Sequence, residues 1–153
     1  MPIADRLAAL GITLPPTPTP LALYQPAVRS GNLIYVSGQI NLAQGALTAR
    51  GKVGEAVSIE QAQQAARLAV LNALAAAQSV IGSLDRVTQV VRLTGYVASA
   101  AGFTDQPKVV NGASELLRDL FGDAGVGARS AVGMAELPLG APVEIELILE
   151  VRE

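Results

Sequence analysis

The chain has 153 residues, half of them hydrophobic and 16% charged, which is one domain's worth of sequence with ample apolar material for a core and too much of it for intrinsic disorder. It contains neither cysteine nor histidine, which excludes disulfides, thiolate nucleophiles, zinc–thiolate sites, histidine general bases and nearly every transition-metal centre; no metal and no cofactor is expected. Eleven basic against thirteen acidic residues give a net charge of −2, a poor match for gripping phosphate backbones, so no nucleic-acid partner is expected either.

Met1 to Leu10 lacks the basic start and long apolar stretch of a signal peptide, and Ile3, Leu7 and Leu10 fall at helical spacing with Gly11 as terminator. Leu14-Pro15-Pro16-Thr17-Pro18-Thr19-Pro20 follows, a segment whose prolines forbid helix and favour an extended polyproline II strap. Residues 1–20 are therefore read as a short helix and strap in front of a main domain over 21–153. Two antiparallel strands are expected at about 22–29 and 33–40, joined by the turn Ser30-Gly31-Asn32, with a glycine-punctuated loop through Gly45, Gly51 and Gly54 after them.

Ser58-Ile59-Glu60-Gln61 has the form of a capping box opening a helix that runs to Ile81 before Gly82, with a small-residue face from Ala62 to Ala77. Val87 to Ala98 reads as a long strand, apolar on both alternating faces: Val91, Leu93 and Val97 on one, Val90, Tyr96 and Ala98 on the other. A second helix starts at Thr104-Asp105, tolerates Pro107 in its first turn, buries Val109, Ala113, Leu116, Leu117 and Leu120, and stops at Gly122. After a loop over Asp123 to Gly127, strands are expected at 128–136 and 143–151. The order β-β-α-β-α-β-β predicts an α+β fold with both long helices on one face of a mixed sheet. The other face keeps apolar residues that a monomer leaves uncovered, so an oligomer is expected. No segment approaches the roughly 18 uninterrupted apolar residues of a spanning helix, and the chain reads as a soluble, cytoplasmic protein with no membrane partner.

Chemistry is concentrated in the last third. Arg129 follows a glycine loop at the start of one strand, and Glu144 begins the next. If those strands pair antiparallel, the two side chains meet. The plain reading is a cross-strand ion pair worth less than about 1 kcal/mol. The functional reading makes Arg129 a planar two-pronged donor for a carboxylate and Glu144 the holder of a water or the acceptor of its proton. Tyr24 and Ser37 are polar groups near glycines, and Asn111 interrupts the apolar face of the second helix. Gly51 and Gly54 form no phosphate loop, because no Gly-Lys-Ser/Thr follows.

Together, Tyr24, Ser30-Gly31-Asn32, Val36-Ser37-Gly38-Gln39, Asn72, Asn111, Ala128-Arg129-Ser130, Leu137-Pro138 and Val143-Glu144-Ile145-Glu146 resemble the RidA family. It is also called YjgF, and its members are often labelled endoribonuclease L-PSP. The front end and Val110-Asn111-Gly112-Ala113-Ser114 resemble a longer bacterial subgroup of it. The resemblance implies a chorismate mutase-like fold and a homotrimer whose three sheets form a central barrel, with clefts between subunits. It implies hydrolysis of reactive 2-imino and enamine acids to 2-keto acids and ammonia, the activity of 2-iminobutanoate/2-iminopropanoate deaminases. By the same resemblance Arg129 binds the substrate carboxylate and Glu144 serves the water. Tyr24, Ser37 and Asn111 line the cleft, and the backbone at Ala131 binds the nitrogen side of the substrate. Two alternatives stand beside it: a noncatalytic trimer that binds a small carboxylate or metabolite, and a ribonuclease or translation inhibitor. The acidic balance and the absence of histidine count against the second.

Overall fold

The computed structural model describes all 153 residues. Helix α1 spans Ile3–Ala9; strands β1 (Ala27–Ser30) and β2 (Leu33–Ile40) form the first hairpin; β3 (Leu42–Ala43) and β4 (Ala46–Leu47) form a small second one. Helix α2 runs Ile59–Ile81, β5 Val87–Ala98, α3 Gln106–Phe121, β6 Ala128–Met134 and β7 Val143–Val151. The expected order of long elements is present. The first strand is shorter than expected because residues 22–26 are bends and irregular chain, not sheet, and the β3–β4 hairpin occupies part of what reads as loop.

Local chemistry explains the helix ends. Ser58 Oγ accepts from the Gln61 amide at 3.1 Å while Gln61 Oε1 accepts from the Ser58 amide at 2.9 Å, so the capping box satisfies two amides that the first helical turn leaves free. Gly82 ends α2 at φ +84, a left-handed conformation that only glycine adopts without strain. The alanine face of α2 is buried from Ala62 to Ala77 and packs on β2 and β7, while α3 packs on β5, β6 and α2. The two helices touch at Gly112, where an added Cβ would lie 2.2 Å from the Gln63 carbonyl oxygen.

The main sheet has the order β1-β2-β7-β5-β6. Strand β7 is its centre, antiparallel to both β2 and β5, and its Val143, Ile145, Leu147, Leu149 and Val151 are buried under the helices. Strand β6 is an edge, parallel to β5, as a crossover through α3 requires. Residues 135–142 therefore pass over the end of β5, and β6 and β7 are not neighbours. In β5 the register shifts between Val90 and Arg92. Unbroken alternation is thus wrong for this strand: Val90, Leu93 and Val97 are all buried, while Tyr96 shares a cross-strand row with Glu144.

Helices cover one face only. The open face mixes apolar with polar and charged residues. Cross-strand rows share a face, and these place Val28, Tyr35 and Ile148 with Arg92, Thr94 with Glu146 and Ser130, and Tyr96 with Glu144 and Val132. Val28, Tyr35, Val132 and Met134 are exposed there, so uncovered apolar surface remains, interleaved with charge. In front of the sheet, α1 is held by Ile3 and Leu7 in the main core and by its Ile3 amide, which donates to Asp85 Oδ1 at 2.7 Å.

Candidate functional site

Arg129 sits on edge strand β6, in one row with Leu93 of β5 and Leu147 of β7, and so on the helix-covered face. Its side chain leans on α3. Nη1 donates to Asn111 Oδ1 at 2.8 Å and to Ser114 Oγ at 3.1 Å, and Nη2 makes a long 3.4 Å contact with the Pro107 carbonyl. Asn111 and Ser114 are one helical turn apart, so they point the same way and grip one prong of the guanidinium. The Nε–Nη2 edge, the one that fits both oxygens of a carboxylate, carries only the long contact. Arg129 is exposed and lines a cleft of about 350 Å³ with Asn111, Ser114 and Arg118.

Glu144 opens β7 on the other face. It shares a second cleft, about 720 Å³, with Tyr24, Ser37, Gly38, Gln39 and the proline strap. Ser37 Oγ donates to the Gln25 carbonyl, and the Ser37 amide to that of Pro26 at 2.9 Å, which ties the Tyr24 segment to β2. Tyr24 accepts a long 3.4 Å contact from the Leu21 amide. Gly38 makes room for the carboxylate: a Cβ there would lie 2.2 Å from Glu144 Oε1. Burial pushes the Glu144 carboxyl above its ordinary range, and the Glu146 charge pushes it the same way. The Tyr96 phenol is likewise raised, first by burial and then by its 3.1 Å donation to Glu146 Oε1, so Tyr96 stays a neutral donor.

The expected contact between Arg129 and Glu144 does not exist within one chain. Strand β5 lies between their strands, and the two side chains leave opposite faces of the sheet. The cross-strand ion pair is excluded by the same geometry. Instead, the predicted residues fall into two groups: Arg129 with Asn111 on one side, and Tyr24, Ser37 and Glu144 on the other. Ala131 is on β6 two residues beyond Arg129, packed against the core. Sequence reasoning missed three contributors. Ser114 was findable as the residue one turn after Asn111. Gly38 and Gln39 lie inside the Ser-Gly-Gln motif, but their roles depend on β7 and α2, which the motif does not contain.

A family model described as "YjgF/chorismate_mutase-like, putative endoribonuclease" matches residues 4–151. The chain belongs to the YjgF (RidA) family. This YjgF chain is 41% identical over 153 residues to Protein TCP17 of Trypanosoma cruzi, covering 98% of this chain and 94% of that protein. It is 31% identical over 144 residues to the 2-iminobutanoate/2-iminopropanoate deaminase of Dermatophagoides farinae, covering 92% of this chain and 95% of that one. Among solved structures it is similar to Atu1372 of Agrobacterium tumefaciens, a protein of unknown function. The two share 44% identity and a TM-score of 0.91, with 98% of this chain and 92% of that chain covered. The mixed α+β architecture is that of the YjgF/chorismate mutase-like fold. No helix of this family member is long and apolar enough to cross a membrane.

Proposed function

We propose that this protein hydrolyses reactive 2-imino and enamine acids to 2-keto acids and ammonia, in clefts between the copies of a homotrimer with a central barrel. The observation that carries the reading is the held guanidinium of Arg129, exposed at a sheet edge with its carboxylate-binding side unoccupied by strong partners. Family membership and the deaminase relative support it. The division of the site residues between two faces supports the subunit seam, since a second copy can present the missing half.

An imine carbon is already electrophilic, so the site has to orient the acid and place a water. Arg129 pairs with the carboxylate and fixes C2. Glu144, with its raised proton affinity, takes a proton from the water as its oxygen bonds to C2 and the C=N π pair moves to nitrogen. The backbone at Ala131 binds that nitrogen, and Glu144 passes it the water's first proton, giving the neutral carbinolamine. Glu144 then takes the hydroxyl proton and delivers it to the nitrogen as the keto C=O forms and the C–N bond breaks, so ammonia leaves and the carboxylate is restored. No step requires histidine or a metal.

The test is a coupled assay for ammonia and keto-acid release from freshly generated imino acids. Arg129→Ala is expected to lower kcat/KM at least about a hundredfold, the scale of losing substrate orientation, without changing the oligomer. Unchanged turnover would refute the assignment. Binding of a keto acid without any imine turnover would favour a noncatalytic carboxylate-binding role.

A further inference from the structure

The larger cleft is more than the surroundings of Glu144. One wall is the proline strap and the next turn of chain, and another is the first face of α2 with the β3 hairpin: Pro15, Pro16, Pro18, Leu21, Leu42 and Leu68 all line it. In one chain alone its volume is about 720 Å³, within the roughly 300–1,000 Å³ of clefts that enclose drug-sized ligands, and a three- or four-carbon imino acid fills only a fraction of that space. Apart from Glu144 charged side chains are absent from its lining, whose polar groups, such as Thr17, Thr19 and Asn72, are neutral, so a charged substituent would lose its hydration there without gaining an ion partner.

Two further observations point to a bound molecule as the missing part. Gln39 is buried to 7% exposure and lies in the same lining, yet its Nε2 has no acceptor within the chain. A buried unpaired donor costs about 1–3 kcal/mol, and the acceptor it takes is an oxygen at the polar end of a bound acid, beside which the apolar side chain is then seated. The polyproline strap is also stiff before any ligand arrives, so closing a side chain against it immobilises little chain. We infer that the strap-walled cleft is a side-chain pocket that selects imino acids with bulky apolar side chains over the three- and four-carbon ones. The inference rests on the deaminase reading for its chemistry, with the carboxylate on Arg129 of another copy and the side chain directed from Glu144 toward the strap.

The test compares imino acids generated from alanine and from leucine as substrates, and the two corresponding 2-keto acids as ligands by calorimetry. The leucine-derived imine is expected to be favoured in kcat/KM by about tenfold or more, the scale of discrimination by added methylenes in an apolar pocket. Ala43→Trp, at an exposed lining position, should cut the leucine-derived turnover much more than the alanine-derived one. Leu68→Asn is a second variant that makes the pocket polar without filling it, and it should shrink the same ratio. A wild-type preference for the small imine, or a ratio unmoved by both variants, would overturn the pocket while leaving hydrolysis intact. If no imine is turned over but 4-methyl-2-oxopentanoate still binds more tightly than 2-oxopropanoate, the pocket stands and the hydrolytic reading falls. Absence of both turnover and binding preference would overturn both.

Discussion

Glu144 is the proposed acceptor of the water's proton, and two neighbours set its behaviour. Gly38 leaves the space its carboxylate occupies. In Gly38→Ala the new methyl meets the end of a flexible side chain and no backbone, so the carboxylate should swing away at little cost to the fold. Imine turnover is then expected to fall at least tenfold or so, on the scale of a misplaced catalytic group, with an unchanged melting temperature. Equal turnover in calorimetrically matched samples would contradict the placement. The second neighbour is Glu146, which together with burial raises the proton affinity of Glu144. A carboxyl with a higher pKa folded than unfolded stabilises the fold below its unfolded value, about 4.3, and loses that contribution as pH rises through the folded value. Glu144→Gln should therefore raise the urea midpoint relative to wild type at pH 7 and not at pH 4. It should also remove the acid limb of the pH–rate profile. The same difference at both pH values would show that Glu144 titrates normally.

Among the elements, α2 and α3 were readable from sequence nearly to the residue. Their signals are local: the Ser58–Gln61 box, the alanine face and the glycine stops at 82 and 122 act within a few residues of themselves. The sheet was less legible. Consecutive strands β6 and β7 look like a hairpin, but β7 slots between β2 and β5, because its alternating Val143–Val151 stripe buries more under α2 at the centre than at an edge. That non-local preference leaves no mark in residues 128–151 alone, and it is why Arg129 and Glu144 were expected to meet. The bulge in β5 escaped for a related reason, since Val90 and Val91 carry no cue as to which one leaves the ladder. The close crossing of the two helices offers a check at this scale. Gly112→Ala would gain up to about 1 kcal/mol of helix propensity, but its Cβ would press on the Gln63 backbone. Overpacking of that kind costs about 1–3 kcal/mol, so net destabilisation is expected in chemical denaturation. A stabilised variant would mean that α2 and α3 are free to separate.

At the scale of the whole molecule, one chain carries two groups of candidate site residues that its own sheet keeps apart. The edge strand β6 holds the guanidinium, and the opposite side of the molecule holds the carboxylate, the tyrosine and the strap-walled cleft. The open sheet face, with Val28, Tyr35, Val132 and Met134 uncovered, is the surface on which the proposed trimer would close. The most direct measurement mixes two disabled chains. Arg129→Ala and Glu144→Gln proteins are unfolded together in equal amounts, refolded, and assayed for imine hydrolysis beside each variant refolded alone. If each site takes its arginine and its glutamate from different copies of a closed ring, random mixing restores about a quarter of the wild-type sites. Activity in the mixture no greater than the sum of the separate variants would contradict a shared site.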